Sequence, residues 1–105
     1  MALVKVGLRE KLPAGSLVEV AAGDAVVAVC NYNGEFHAVD GNCPHRGGPL
    51  AQGALHGNML VCPWHAWEFD CVTGANDYDP KIVLRKFAVT ERDGDVFVDI
   101  PDAGA

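Results

Sequence analysis

Positive charge is scarce in this sequence. Its 105 residues include 8 Lys and Arg against 14 Asp and Glu, which gives a formal net charge of −6 at pH 7. Proteins that bind nucleic acids need a basic surface to neutralise phosphates, so this composition argues against a nucleic-acid partner. An acidic surface either keeps a small protein soluble or attracts basic patches of a protein partner, and salt weakens that attraction.

Long apolar segments are also missing. No run approaches the roughly 20 apolar residues that span a bilayer, and the N-terminus lacks the basic and apolar regions of a secretory signal. We therefore expect a soluble, cytoplasmic monomer that does not enter a membrane. In that compartment the four cysteines are expected to be metal ligands or buried thiols rather than disulfides.

No stretch repeats apolar residues at helical spacing, and short Val-rich runs bounded by turn residues predict strands instead. Asn33-Gly34 and Asp93-Gly94 predict hairpin turns, because these residue pairs tolerate positive φ. A further turn is predicted at Gly57-Asn58, inside the run 55–61. The other predicted strands are residues 3–6, 16–21, 25–30 (reaching 32 as a hairpin arm), 35–39, 83–90 and 95–100.

These elements predict an all-β fold. The expected architecture is an antiparallel β sandwich or barrel base, into which a loop-rich subdomain is inserted at about residues 40–80. A length of 105 residues fits one domain covering residues 1–105.

Two short Cys/His pairs lie in the loop-rich region, as Cys-Pro-His at 43–45 and Cys-Pro-Trp-His at 62–65. Zinc fingers usually group Cys with Cys and His with His, whereas each pair here supplies one thiolate and one imidazole. That mixture suits a cluster with one Cys-bound and one His-bound iron, although structural zinc would also accept two Cys and two His. We predict Cys43, His45, Cys62 and His65 as the metal ligands.

The remaining Cys and His residues are not predicted to be metal ligands. Cys30 ends an apolar strand and is predicted to be a small buried side chain, and the same role is predicted for Cys71. His37 and His56 lack a neighbouring Cys at ligand spacing, so both are predicted to be surface or turn residues.

The segments 43–50 and 62–70 resemble the two boxes of Rieske [2Fe–2S] proteins. Thr73-Gly74 and Asp79-Pro80 extend the resemblance, the latter being similar to the proline loop that covers the cluster. The resemblance spans roughly residues 1–100 and implies a Rieske-like β fold with one [2Fe–2S] cluster per chain. It further implies that Cys43 and Cys62 bind the inner iron, while His45 and His65 bind the outer one.

The chain departs from the high-potential Rieske branch at four positions. Members of that branch resemble one another in having an extra Cys in each box, and the matching positions of this chain are Gly48 and Trp64. They also have hydroxyl-bearing residues at the positions of Trp67 and Phe69. Fewer hydrogen-bond donors around the cluster predict a lower reduction potential. The pattern is therefore similar to that of the soluble Rieske-type ferredoxins of bacterial aromatic-ring dioxygenase systems.

This resemblance implies a one-electron carrier that is not itself an enzyme. Its expected partners are a flavin-dependent NAD(P)H reductase, which supplies electrons, and a terminal ring-hydroxylating oxygenase, which receives them. The sequence contains no Gly-rich nucleotide fingerprint and no nucleophile–base arrangement, so no catalytic residue is predicted. The alternatives are the small subunit of an NADH-dependent nitrite reductase and a zinc-stabilised interaction module.

Overall fold

A computed structural model describes residues 3–22, 25–42, 49–63, 67–79 and 81–100. Within these ranges the chain forms ten antiparallel β-strands, which confirms the all-β prediction. The strands are β1 (Leu3–Leu8), β2 (Leu17–Ala22), β3 (Ala25–Tyr32), β4 (Glu35–Asp40), β5 (Ala54–His56), β6 (Met59–Val61), β7 (Glu68–Asp70), β8 (Lys86–Phe87), β9 (Val89–Arg92) and β10 (Asp95–Asp99).

The helical content of the described ranges is two three-residue 3-10 turns, Arg9–Lys11 and Leu50–Gln52. No helix among these residues is long and apolar enough to cross a membrane.

The strands of the described ranges form three sheets. The first sheet has the strand order β1-β10-β9, the central sheet has the order β2-β3-β4-β8, and the small sheet has the order β5-β6-β7. Neighbouring strands pair antiparallel in all three. The small sheet contains the strands on either side of the second Cys/His pair.

The central sheet is covered on both faces. Val27 and Val29 of β3 belong to a buried cluster that includes Val98 from the first sheet. The alternate residues Ala28 and Cys30 belong to a second buried cluster, which includes residues of the small sheet. Because successive side chains point to opposite faces, a strand covered on both sides is expected to be apolar at consecutive positions, and residues 25–30 of β3 are.

The predicted hairpin turns are confirmed. Asn33 and Gly34 have φ values of 53° and 89°, and Asp93 and Gly94 have φ values of 52° and 81°. Both pairs therefore adopt the left-handed backbone that joins antiparallel strands with the correct twist. The predicted break in residues 55–61 is confirmed as well, since a turn at residues 57–58 separates β5 from β6.

The single strand predicted for residues 83–90 is wrong. Residues 86–87 pair with β4 of the central sheet, whereas residues 89–92 pair with β10 of the first sheet. The chain changes sheets at Ala88, whose carbonyl accepts a hydrogen bond from the amide of Asp99 at 2.9 Å. Residues 83–85 lie outside both strands, and Val83 makes only an isolated bridge with Ala75.

Candidate metal centre

The second Cys/His pair lies in the loop between β6 and β7. Cys62 follows β6 directly, and its amide donates a hydrogen bond to the carbonyl of Trp67 at 2.7 Å. Val61 and Glu68 are strand partners immediately outside this bond. The loop is therefore tied at its base by the small sheet, while residues 64–66, including the predicted ligand His65, lie outside the described residues.

The first pair follows β4. Asn42 and Pro49 form an isolated bridge, and the amide of Leu50 donates to the carbonyl of Gly41 at 2.9 Å. These contacts bring together the two ends of the segment 43–48, which is here called the first loop. The predicted ligands Cys43 and His45 fall within that segment, which lies outside the described residues.

A glycine brings the flanks of the two loops together. Gly53 comes directly after the 3-10 turn that leaves the first loop. A Cβ atom at this position would lie 1.9 Å from the carbonyl oxygen of Val61 and 3.1 Å from Cδ of Pro63, on either side of Cys62. Real Cβ atoms do not approach an oxygen so closely, so the contact requires glycine. The exit of the first loop therefore packs against the entry of the second.

Cys62 has the environment expected of a buried thiolate ligand. Its side chain is 1% exposed and belongs to the cluster that contains Leu60 and Phe69. An uncompensated thiolate in such an apolar setting would be costly, whereas a bound iron supplies the compensating charge. The position and chemistry of Cys62 thus fit an inner ligand of a [2Fe–2S] cluster.

Cys62 is the one predicted ligand that falls within the described residues. In those ranges no three His, Cys, Asp or Glu side chains converge as a metal site. Three of the four predicted ligands lie elsewhere in the chain, so this finding concerns only other sites.

Two aromatic residues lie at the C-terminal end of the second loop and in β7. Phe69 is completely buried, and the partly buried ring of Trp67 lies with its centroid 6.4 Å from that of Phe69. Both side chains pack with the same cluster as Cys62. Neither offers a hydroxyl group at the two positions where the high-potential branch has one. Trp64 and Gly48, the other two differing positions, lie outside the described residues.

A buried asparagine holds the segment that leads into the predicted proline loop. Asn76 is 4% exposed, and its Nδ2 donates to the carbonyl of Glu68 at 3.0 Å. Its Oδ1 accepts from the amides of Tyr78 at 3.1 Å and Asp79 at 2.8 Å. The buried amide is therefore satisfied on both sides and fixes residues 77–79 against β7. Asp79 lies in this segment, and Pro80 is outside the described residues.

A cavity of about 340 Å³ opens beside the second loop. It is lined by Trp67, Glu68, Asn76, Asp77 and Tyr78. Its walls therefore come from the end of the loop, from β7, and from the segment that Asn76 fixes.

The two extra cysteines are buried, as predicted. Cys30 and Cys71 are 1% and 0% exposed, and no described cysteine forms a disulfide. A hydrogen bond with Cys71, together with burial, raises the pKa of the Cys30 thiol above its usual value, so this thiol stays neutral.

The histidine predictions have mixed outcomes. His56 is exposed next to the turn at Gly57, as expected. The prediction of a surface or turn position for His37 is wrong, because His37 lies within β4 opposite Cys30 and its side chain is only 16% exposed. Pairing with β3 places it on the covered face of the central sheet.

Two supporting residues were not predicted from the sequence. Asn76 stands in an Asn- and Asp-rich stretch before a proline, which is a turn signal that could have identified it. Gly53 has no such local signal, because its role depends on the approach of Val61 from another strand.

Residues 2–88 match the family described as the Rieske [2Fe–2S] domain. Human apoptosis-inducing factor 3 is 39% identical over 85 residues, which is 80% of this chain but only 14% of the length of that relative. The ferredoxin subunit of 3-phenylpropionate/cinnamic acid dioxygenase from Escherichia coli strain K12 is 35% identical over 80 residues, covering 74% of this chain and 76% of the subunit.

Solved structures support the same relationship. The fold superposes with a TM-score of 0.85 and 31% identity on a chain from a complex of reduced oxygenase and oxidized ferredoxin in carbazole 1,9a-dioxygenase. The match covers 91% of each chain, so the two chains are similar in length. From its sequence and its fold, the present chain belongs to the Rieske [2Fe–2S] domain family and holds one [2Fe–2S] cluster.

Proposed function

We propose that this protein is a one-electron carrier whose cluster is bound by Cys43, His45, Cys62 and His65. The observation that carries this proposal is the contact of Gly53 with Val61, which joins the flanks of the two ligand-bearing loops. Burial of Cys62 beside this contact suits an inner thiolate ligand. When bound, the cluster supplies a single-electron couple.

The ligands determine how easily the cluster is reduced and whether its reduction is coupled to proton uptake. Two thiolates and two neutral imidazoles leave less negative charge on the reduced centre than four thiolates would, so reduction is easier. Imidazoles that reach solvent can also release a proton from the nitrogen that does not bind iron, which couples electron uptake to proton uptake at alkaline pH.

We further propose that the carrier operates between a flavin-dependent NAD(P)H reductase and a terminal ring-hydroxylating oxygenase, as a cytoplasmic monomer of one domain with its cluster-binding subdomain at about residues 40–80. The E. coli relative is a dioxygenase ferredoxin subunit of similar length, and the carbazole dioxygenase structure contains a ferredoxin together with an oxygenase. The sequence itself has no nucleotide fingerprint, so the reducing and oxidising chemistry would belong to these partners.

Spectroscopy of the purified protein tests the ligand set. We expect a red-brown protein with equal amounts of iron and sulfide, and His45→Cys or His65→Cys should shift the spectrum toward an all-thiolate type or abolish the cluster. His56→Cys is the matched control, because His56 is exposed at the end of β5 and is not a proposed ligand, and it should leave the spectrum unchanged. A colourless zinc protein, or an unchanged centre in either ligand variant, would contradict the assignment.

Electron transfer tests the position of the protein between its partners. The reduced protein should reoxidise on mixing with a terminal oxygenase, and the oxidised protein should be reduced by a flavin reductase and NADH, with both reactions followed in the visible spectrum. Transfer to a sirohaem nitrite reductase instead of an oxygenase would favour the alternative reading.

A further inference from the structure

We propose that the surface formed by Trp67, Glu68, Asn76, Asp77 and Tyr78, here called the Tyr78 surface, docks the terminal oxygenase. The oxygenase would supply an apolar socket for Tyr78, rimmed by Lys or Arg side chains. This inference rests on the proposed function and adds the residues that make the contact.

Tyr78 is unusually exposed for an aromatic residue. Its exposed fraction is 93%, whereas the other exposed large apolar residues in the described ranges have values between 37% and 56%. Tyrosine combines a large apolar ring with a polar hydroxyl, and it is one of the residue types that most often dominate the binding energy of interfaces. An exposed ring of this kind gains much from burial in a partner.

The backbone that presents Tyr78 is fixed before any partner arrives. Its amide donates to Oδ1 of the buried Asn76 at 3.1 Å, and the amide of Asp77 donates to the carbonyl of Glu68 at 3.1 Å. Asn76 is itself tied to β7. A segment that is already ordered loses less conformational entropy on binding, so more of the contact energy appears as affinity.

The Tyr78 surface adjoins the proposed redox centre. Trp67 ends the second loop, and its carbonyl accepts the hydrogen bond from the amide of Cys62. The cavity of about 340 Å³ starts at this tryptophan and extends to Tyr78. A partner seated here would therefore lie beside the loop to which two of the four proposed cluster ligands, Cys62 and His65, belong.

The charge of this region indicates the chemistry of the partner. Residues 67–79 include four carboxylates and no Lys or Arg. Asp70 is occupied by the amides of Val72 and Thr73, while Glu68 and Asp77 line the cavity. Lys81 is the nearest cation in sequence on the C-terminal side, and Nζ of Lys86 donates to the carbonyl of Val72, but neither lysine lines the cavity. Anionic membranes and nucleic acids would be repelled, whereas a basic protein surface would be attracted.

Electron transfer from the reduced holoprotein tests the proposal. The probes are the purified terminal oxygenases of the source organism and, separately, its flavin reductase. We expect Tyr78→Ala to raise the KM of the oxygenase for the ferredoxin by about tenfold or more, with kcat, spectrum and midpoint potential unchanged. Because the ring is exposed and the amide of residue 78 remains, the variant should fold normally.

Two control variants, Leu3→Ser and Asp93→Asn, test whether the effect depends on the position of the changed residue. Leu3→Ser removes another exposed apolar side chain, on β1, and should leave the KM unchanged. Asp77→Asn and Asp93→Asn each remove one negative charge, but Asp93 lies in the turn between β9 and β10. Only Asp77→Asn should raise the KM by about threefold at low salt, and this difference should vanish at high salt.

The possible outcomes are distinct. Wild-type transfer that Tyr78→Ala leaves unchanged overturns the docking surface but not the carrier function. A defect of Tyr78→Ala with the reductase alone overturns the choice of the oxygenase as the partner. If the wild-type holoprotein reduces none of the oxygenases, the proposed function fails, and the docking surface fails with it.

Discussion

At the residue scale, two aromatic side chains set the expected reduction potential. Trp67 and Phe69 stand where the high-potential Rieske branch has hydroxyl groups that donate hydrogen bonds near the cluster. Phe69 is fully buried among the same hydrophobic residues as Cys62, so no water can replace the hydroxyl group that the high-potential branch has at this position. Fewer donors stabilise the additional electron less, and the potential falls. We expect a midpoint potential near the low end of the Rieske range of roughly −150 to +300 mV.

Restoring a hydroxyl should raise this potential. A net hydrogen bond contributes about 1 kcal/mol, which for a one-electron couple corresponds to about 40 mV, so Phe69→Tyr should shift the midpoint upward by that order. Protein-film voltammetry would measure the shift. Phe36→Tyr is the matched control. Phe36 packs against the hydrophobic residues on the opposite face of the central sheet, so this variant should leave the potential unchanged. A wild-type potential above about +150 mV would contradict the missing-donor argument.

At the element scale, the two loops depend on a close contact between a 3-10 turn and a strand end. The turn Leu50–Gln52 leads from the first loop to Gly53, and β6 leads through Val61 to Cys62. With a hydrogen in place of a side chain, Gly53 can lie directly on the Val61 carbonyl. Each loop is closed by its own backbone hydrogen bonds, and this contact adds the connection between them.

Gly53→Ala should therefore separate the loops. The added methyl group would lie 1.9 Å from the Val61 oxygen, so one of the two elements must move. We expect a destabilisation of about 2–3 kcal/mol together with a loss of bound cluster. Thermal unfolding and the visible absorbance per chain would measure both effects.

The control for this substitution is Gly7→Ala in β1, where the nearest atom to the new Cβ is Cδ1 of Leu12 at 3.6 Å. That variant should keep its cluster and its unfolding midpoint. Full cluster occupancy in Gly53→Ala would show that the two loops do not depend on this contact.

The same scale explains which elements the sequence could predict. The turns at residues 33–34 and 93–94 were predictable, because the preference of Asn-Gly and Asp-Gly for positive φ is local. The end of the strand predicted at 83–90 was not, because a segment rich in apolar and β-branched residues carries no information about a change of strand partner at Ala88. Sequence pattern specifies that a segment is extended, and only tertiary pairing specifies the sheet to which it belongs.

The residues of the candidate site also include some that could be predicted from the sequence and some that could not. The candidate ligands could be named because Cys and His pairs at this spacing are chemically distinctive, and Cys62 is buried as a ligand should be. The contributions of Gly53 and Asn76 depend on backbone carbonyls of other elements, those of Val61 and Glu68. No local pattern encodes the approach at Gly53, whereas the turn signal around Asn76 could have marked that position but not its carbonyl partner in β7.

At the scale of the whole molecule, the central sheet joins the first sheet to the small sheet. The contact with the small sheet is apolar and includes Cys30 from the central sheet and Cys71 from the chain following β7. The two thiols are hydrogen-bonded to each other, and this bond together with burial raises the pKa of Cys30. Alongside, the Nζ of Lys86 donates to the carbonyl of Val72, which ties β8 to the same region.

This packing predicts that the two thiols are protected in the native holoprotein. Reaction with N-ethylmaleimide requires an exposed thiolate, and Cys30 is both buried and held neutral. The hydrogen bond with Cys30 lowers the pKa of Cys71, so Cys71 is protected by its complete burial instead. We expect Cys30 and Cys71 to react at least about a thousandfold more slowly than in the unfolded chain, because labelling must wait for the small sheet to separate from the central sheet.

Peptide mapping by mass spectrometry would follow each thiol. Thr90→Cys, at an exposed position in β9, provides the reactive reference. Labelling of Cys30 at the rate of that introduced thiol would mean that the layers separate freely, whereas parallel slow labelling of both native thiols would show that they open as one unit.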